Sequence, residues 1–249
     1  MKHSVDLNAD LGEGEPSEGE LLKLVSSANI ACGFHAGDPN SMTASILAAR
    51  EAGVAVGAHP SFFDRDNFGR KELPVSTNEV FALVAYQVGA FLGIATSLGV
   101  RPNHVKPHGA LYNMAARDPA LADAIAHGLL AVDRSLILFA PSASALARAG
   151  EAVGLRIARE VFADRNYQPD GSLVPRTQPH ALLHDAEEAG ARVLRMLRQE
   201  VVRAIDGSDI PIQADTICVH GDTAGAVAFV QQLRARLAAA GIAVAAPGI

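Results

Sequence analysis

Ionisable side chains stand at the ends of short apolar runs that have the composition of β-strands. The first run leads to Asn8 and Asp10, followed by Glu13 between two glycines. Five later runs lead to further ionisable residues: His35, His59, Lys106 with His108, Glu160 with Asp164 and Arg165, and His220 with Asp222. Carboxylates and imidazoles brought together can move protons to and from a small substrate. They can equally hold a zinc-like or manganese-like divalent ion.

These two kinds of chemistry would use overlapping residues. The candidate catalytic residues are Asp10, Glu13, His59, Lys106 and His108. No HxxxH pair lies on a predicted helix, so no fixed spacing defines a metal site; a metal ion would be held by Asp10, His35, His59 and His108. Each histidine also has a structural alternative, because histidines at strand ends often serve only in packing.

Lys106 lies in a predicted buried strand, where an ammonium group needs an anionic partner. It is a candidate to bind a substrate carboxylate or a phosphoryl oxygen. The alternative is an ion pair with Asp6 or Glu160 that serves stability alone. Asp10 ranks above Asp6 as a functional carboxylate, because the direction of the Asp6 side chain depends on how cleanly the first strand alternates. Cys32 could act as a nucleophile, but an unpaired cysteine buried in the core is commoner.

The elements that would position these residues alternate between strand and helix. Seven apolar runs are predicted as strands, near Ser4–Asn8, Ala28–Ala31, Val54–Ala58, Asn103–Pro107, Leu136–Ala140, Leu155–Phe162 and Ile217–His220. The predicted helices are Ser41–Ala52, Asn78–Leu98, Pro119–Ala131, Ala143–Val153, Asp185–Ala204 and Ala224–Ala240. This alternation indicates parallel strands, in a closed barrel or an open doubly wound sheet. In a barrel, the strand ends open on one face, where such folds place their active sites.

The composition indicates a globular protein with no nucleic-acid-binding surface. Of the 249 residues, 49% are hydrophobic and 19% are charged, and no linker or repeat divides the chain, so one domain (1–249) is predicted. The net charge of −6 argues against nucleic acid as a partner. The two cysteines lie far apart in the sequence, and the N-terminus carries a charged residue at its second position. Both features favour a cytoplasmic protein.

The uncharged segment Val80–Val100 is long enough to cross a bilayer, and it contains Gly89 and Gly93 in GxxxG spacing. Its place in the strand–helix alternation, and the polar Gln87 within it, favour a buried or interface helix over a membrane span. The glycine spacing has two interpretations. It could form a surface for self-association or for a partner, or it could serve core packing.

Two segments are too long for simple turns and are interpreted as binding loops or lids. Arg65 and Arg70 lie in the first, Pro60–Thr77, and a second loop spans Ala163–Ala181. A solvated surface excursion is the alternative for each. Neither GxxxxGKS/T nor GxGxxG occurs, so ATP, if it is used, binds in another way or on another chain.

Six stretches resemble the LamB/YcsF family, in family order along nearly the whole chain. They are VDLNADLGEG (Val5–Gly14), ANIACGFHAGDP (Ala28–Pro39), VGAHPSFFDRDNFGR (Val56–Arg70), HVKPHGALYN (His104–Asn113), EVFADRNY with DGSLVPR (Glu160–Arg176) and ICVHGDT (Ile217–Thr223). The resemblance implies an α/β fold, a seven-stranded distorted (β/α) barrel of the glycoside hydrolase/deacetylase type.

The resemblance also implies the A subunit of an ATP-dependent 5-oxoprolinase. With subunits B and C, such a chain would convert 5-oxoproline, ATP and water into glutamate, ADP and phosphate; ATP would be the co-substrate and a divalent metal a candidate cofactor. The substrate-binding residues would be Asn8, His35, Arg65, Arg70, Glu160, Asp164, Arg165, His220 and Asp222. The alternatives are a freestanding metal-dependent deacetylase or carbohydrate hydrolase, a non-catalytic scaffold subunit, and an accessory protein for other cyclic amides.

Overall fold

Seven parallel strands close into a barrel in the computed structural model, which describes residues 3–183, 185–219 and 225–248. Six of them are neighbours in sequence order: β1 (Ser4–Leu11), β2 (Ser27–Ala31), β3 (Ala55–His59), β4 (His104–Val105), β5 (Ile137–Pro141) and β6 (Arg156–Phe162). The seventh, β9 (Thr216–Cys218), pairs with both β6 and β1 and closes the barrel. The predicted seven strands and α/β barrel are confirmed.

Helices form a layer around the strands. They are α1 (Glu18–Leu21), α2 (Pro39–Glu51), α3 (Thr77–Ser97), α4 (Gly109–Arg117), α5 (Pro119–Val132), α6 (Ala145–Ala152), α7 (Ala186–Gln199) and α8 (Ala226–Ala239). Side-chain caps fix several of their starts, as at Asp38 before α2 and Ser76 before α3, where both sides of a capping box are formed. Helices α1 and α4 were not predicted from the sequence.

The predicted helix Asp185–Ala204 was wrong over residues 200–204. The helix ends at Gln199, because Glu200 adopts a left-handed conformation (φ 56°). A short antiparallel hairpin follows, made of β7 (Val201–Arg203) and β8 (Asp209–Pro211). The turn of this hairpin includes Asp206 and Gly207, a dipeptide typical of tight hairpins. A further short strand, β10 (Ala243–Val244), is parallel to the start of β1 and pairs with it.

Strand β1 extends further than predicted and continues to Leu11, so Asn8 and Asp10 lie within the strand and not beyond its end. Its odd-numbered residues are apolar and buried in the core. Its even-numbered side chains Asp6, Asn8 and Asp10 all bond to residues of neighbouring strands inside the barrel. The alternation is therefore clean, and Asp6 points to the same side as the other two.

Helix α3 overlaps most of the predicted apolar segment. Among the described residues it is the one helix long and apolar enough to cross a membrane, a test that core helices also pass. Val84, Val88 and Phe91 are buried on its inner face, and the Gln87 amide bonds to the main chain of Ser61 in both directions. The helix is thus part of the layer around the barrel. Its two GxxxG glycines are exposed, and a Cβ added to either would meet no described atom within 4 Å, so they do not serve core packing.

Candidate active site

The ammonium group of Lys106 is buried at the mouth of the barrel and contacts three other strands. Its Nζ lies 3.0 Å from both Asp10 Oδ1 and Glu160 Oε1, and 3.1 Å from both Asn8 Oδ1 and Cys218 Sγ. Although burial opposes charge, Asp10, Cys218 and Glu160 hold the pKa of Lys106 well above its usual range. The predicted pairing with Glu160 is present, and the ammonium is directed at acceptors from the protein itself.

Glu13, His35, His59 and His108 form a second group beside this ammonium, referred to below as the histidine cluster. Glu13 Oε1 lies 2.8 Å from His35 Nε2, 3.5 Å from His108 Nδ1 and 3.8 Å from His59 Nε2. The last two nitrogens are 2.9 Å apart, and Asp10 Oδ2 is 3.3 Å from His59 Nε2. Asp10 therefore connects the histidine cluster to the buried ammonium.

Two backbone carbonyls determine which ring nitrogens face into the cluster. His59 Nδ1 lies 2.6 Å from the carbonyl oxygen of Lys106, and His108 Nε2 lies 2.9 Å from that of Phe68. A carbonyl oxygen only accepts hydrogen bonds, so both of these nitrogens must donate. In the neutral rings, His59 Nε2 and His108 Nδ1 consequently direct lone pairs at one another.

The loop that supplies the Phe68 carbonyl makes an unusually close approach to the cluster. Phe68 itself has φ 55°, which is rare for an aromatic residue, and Gly69 follows with φ 64°. A Cβ at Gly69 would overlap Ser61 Oγ and would stand 2.9 Å from His35 Cβ. Only glycine fits there, and such backbone strain is typical of functional sites.

The carboxylates and histidines of the site have divergent pKa values. Burial opposes ionisation of Asp10, but the charges of His59 and Lys106 hold its pKa well below the usual range. Burial and the charge of Asp10 raise the pKa of Glu13 to about 7. Burial lowers the pKa of His35 to about 3, whereas Asp10 overcomes burial at His59 and raises its pKa. Groups with such opposed shifts are suited to proton transfer.

Sequence reasoning missed several polar residues inside the barrel. The Tyr112 hydroxyl donates to Glu160 Oε2, and Asn29 Nδ2 donates to Asp10 Oδ1 at 2.8 Å. His104 Nε2 lies 2.8 Å from Asn29 Oδ1. Tyr112 had one usable signal in the sequence, since it follows His108, the residue that precedes α4, by four positions, about one helical turn.

The predicted substrate-binding residues on the two long loops are placed differently from one another. Arg165 is 7% exposed and donates to the Val174 carbonyl at 2.6 Å, and burial lowers its pKa. Arg65 donates to the carbonyls of Gly33 and Gly37 and so ties two rim loops together. Arg70 lies over the Phe68 ring, and Asp164 is 9% exposed. The predicted residues His220 and Asp222 lie outside the described residues.

Cys32 behaves as a core residue. Its thiol donates to the Ile30 carbonyl at 3.4 Å, and burial raises its pKa to about 12. A thiol that resists ionisation is a poor nucleophile. This favours the packing interpretation over the nucleophilic one.

The histidine cluster is also the group of described residues that could hold a metal ion. One ligand atom from each of its four members lies within 4.8 Å of the others. The set predicted from the sequence had Asp10 in place of Glu13. Asp10 touches the cluster through His59, so both carboxylates border the same space.

The Glu18 carboxylate is held by four consecutive backbone N–H groups of the turn that carries Glu13. Gly12 N donates to Oε2 at 3.0 Å, and residues 13, 14 and 15 donate to Oε1 at 2.8, 2.9 and 3.2 Å. Such a nest of amides fixes the turn around one anion. We expect Glu18→Ala to speed hydrogen exchange of these four amides by about tenfold or more, measured by mass spectrometry or NMR.

The matched control for this change is Glu20→Ala, because Glu20 is an exposed carboxylate on the same short helix. It should leave exchange in the turn unchanged, and Glu18→Gln should keep part of the protection through its remaining amide oxygen. Equal exchange in Glu18→Ala and the unmodified chain would contradict the assigned role.

Asp6 predicts a pH dependence of stability. Burial raises its pKa to about 6, partly offset by hydroxyl bonds from Ser26, Thr216 and Ser27, and the nearby Glu160 adds to the rise. The folded chain thus binds this proton more tightly than the unfolded chain, whose value is 3.8. Asp6 therefore stabilises least above pH 6, and its contribution falls as pH rises from about 4 to 6, by on the order of 2–3 kcal/mol.

Asp6→Asn removes this titration, so the stability of the variant should not show the loss between pH 4.5 and 7 that Asp6 causes in the unmodified chain. The difference between the two free energies of unfolding, variant minus unmodified, should therefore rise by about 2–3 kcal/mol over this range, at ~1.4 kcal/mol per pKa unit. Urea unfolding at several pH values measures the difference. Parallel profiles for the two chains would count against a raised pKa.

The fold and the site define an α/β-barrel protein with an acid–base cluster at the mouth of its barrel. The chain belongs to the LamB/YcsF family, whose model matches residues 5–248. A protein from Methylococcus capsulatus (strain ATCC 33009 / NCIMB 11132 / Bath), named as the A subunit of 5-oxoprolinase, is 53% identical to this chain over 253 aligned residues. The alignment covers 100% of this chain and 97% of the relative. The crystal structure of a lactam utilization protein from Thermus thermophilus matches with a TM-score of 0.90 and 42% identity, covering 99% of this chain and 100% of that one.

Proposed function

We propose that this chain is the A subunit of a cytoplasmic ATP-dependent 5-oxoprolinase, which acts with subunits B and C on 5-oxo-L-proline. The products would be L-glutamate, ADP and phosphate. The observation that carries the proposal is the 53% identity, over the whole chain, to a protein named as the A subunit of 5-oxoprolinase. The acid–base cluster at the barrel mouth supports it, because opening a lactam requires proton transfer to and from water and the ring nitrogen.

The need for ATP follows from the chemistry of the substrate. A five-membered lactam resists plain hydrolysis. Transfer of the ATP γ-phosphoryl group to its amide oxygen, with release of ADP, would make the carbonyl carbon electrophilic. Water could then add to that carbon, the C–N bond could break as the ring nitrogen takes up a proton, and a second water would hydrolyse the resulting acyl phosphate to glutamate and phosphate. The chain has no recognisable phosphate-binding loop, so we assign nucleotide binding to the complex and lactam binding to this barrel.

Asp10 and Glu13 are the carboxylates assigned to water activation. The Asp10 side chain is 19% exposed, more than that of Glu13 at 9% or of His108 at 7%, and the side chains of His35, His59 and Lys106 are at most 4% exposed. A water on the exposed side of Asp10 could pass a proton to this carboxylate, which its contacts with Lys106 and His59 hold in place. His35 orients Glu13 through their 2.8 Å contact.

The anionic end of the substrate is assigned to Arg165. Lys106 was an equal candidate from the sequence, but its ammonium contacts Asp10, Glu160 and Asn8, which favours a role in holding those groups. The guanidinium of Arg165 is buried, and its Nε makes no hydrogen bond within the described residues. A planar guanidinium suits a carboxylate or phosphoryl group.

The test measures glutamate release from 5-oxoproline with ATP in three mixtures: this chain alone, subunits B and C alone, and all three together. Activity only in the full mixture supports the proposal. Activity of this chain alone, without ATP, would favour a freestanding hydrolase, and full activity of subunits B and C alone would leave this chain a scaffold role.

A further inference from the structure

We propose that the histidine cluster, together with Asp10, binds one divalent transition-metal ion. The distances between the potential ligand atoms are the first argument. Atoms bound at about 2.1 Å to one ion are roughly 3.0–3.5 Å apart at right or tetrahedral angles. The contacts of His59 Nε2 with His108 Nδ1, of His108 Nδ1 with Glu13, and of His59 Nε2 with Asp10 measure 2.9, 3.5 and 3.3 Å.

The second argument is the direction of the lone pairs. The carbonyls of Lys106 and Phe68 fix the outer nitrogens of His59 and His108 as donors, so the inner nitrogens face each other as acceptors. Two facing acceptors require a cation between or beside them. Ring nitrogens that donate to main-chain carbonyls on their far side are the usual arrangement of metal-binding histidines.

A bound proton would satisfy that one pair of nitrogens, but it leaves the convergence of the other groups unexplained. Glu13 Oε1 lies within 3.8 Å of one nitrogen from each of three imidazoles. A set of imidazoles and carboxylates suits zinc and similar first-row ions, and the partly exposed carboxylates leave one side of the site open. An ion in that position would polarise the lactam carbonyl or its bound water, a role that rests on the proposed function.

His35 is expected to be the weakest of the ligands. Its ring is stacked on His108, with centroids 3.8 Å apart and planes 5° from parallel. Parallel rings cannot both aim in-plane lone pairs at one ion, so one of them has to turn. His35 is the freer ring, because its Nδ1 makes no hydrogen bond within the described residues.

Metal binding is tested on the isolated chain, without an affinity tag and after removal of metals by a chelator. Calorimetric titration with Zn²⁺ and Mn²⁺, and elemental analysis after dialysis, should give one ion per chain. We expect His59→Ala and His108→Ala to raise Kd by at least about 100-fold, and His35→Ala to raise it less. The visible spectrum of bound Co²⁺ should lose intensity in the same order.

His127→Ala is the matched control, because His127 is an exposed histidine on α5 and should not affect binding. Circular dichroism of the metal-free variants confirms folding, and Glu13→Gln substitutes for any histidine variant that fails to fold. No stoichiometric binding, or a Kd unaffected by these changes, would overturn the proposal. Since no substrate is present, this outcome is independent of whether the complex opens 5-oxoproline.

Discussion

Lys106→Met is expected to lower the free energy of unfolding by about 3–5 kcal/mol, the usual consequence of removing one partner of a buried ion pair. The ammonium lies 3.0 Å from two carboxylates, Asp10 and Glu160, inside the barrel. Methionine keeps an unbranched apolar chain, so the change removes the charge while leaving little empty volume. Urea unfolding followed by circular dichroism measures the loss.

The double variant Lys106→Met/Glu160→Gln tests the cause of that loss. Glu160 is fully buried, and its removal eliminates one of the two carboxylates left without a counter-charge. The double variant should therefore be at least about 1 kcal/mol more stable than the sum of the single effects predicts. Lys71→Met, at an exposed loop position, is the control and should change stability by less than about 0.5 kcal/mol. Strict additivity would show that the ion pair is not what the substitution disrupts.

The barrel could be predicted from the sequence because parallel strands buried on both faces appear as separate apolar runs. The same alternation predicted which strand ends would share a face, and the structure brings Asp10, Glu13, His35, His59 and His108 into contact there. The alternation of strands and helices could not predict to which side of a strand each side chain points. Whether Asp6 pointed inward depended on β1 continuing to Leu11, and that is determined by its pairing with β2.

Other features of the site depend on contacts between segments distant in sequence. Tyr112 reaches Glu160 because α4 begins only three residues after β4, and the sequence pattern did not reveal that helix. The engagement of Lys106 by three strands likewise depends on barrel closure. The local exception was the early end of α7, where the Asp206–Gly207 turn and the two valines before it favoured a hairpin over the helix predicted there.

Asp10→Asn is expected to reduce glutamate release by the three-subunit complex by about 100-fold or more, the range of general acid–base catalysis. Asparagine keeps the shape of the side chain, and its oxygen can still accept from Lys106 and Asn29, whose donors lie 3.0 and 2.8 Å away. It cannot take a proton from water. Because the change affects the chemical step, kcat should fall while KM changes little.

Two controls separate this effect from a change in structure. Asp38→Asn makes the same replacement at an exposed helix cap outside the barrel, where asparagine also caps well, and should leave the rate unchanged. Co-elution of Asp10→Asn with subunits B and C shows that the complex still assembles. An unmodified rate in that assembled complex would remove Asp10 from the chemical step.

Glu160→Gln provides the sharper comparison, because Glu160 lies as close to the Lys106 ammonium as Asp10 does but has no exposed side-chain surface. If Asp10 acts on water, Asp10→Asn should affect the rate far more than Glu160→Gln, and Glu160→Gln should mainly affect stability. If the two substitutions slow the complex equally, the contribution of Asp10 is its charge beside Lys106, and the base must be sought in the histidine cluster.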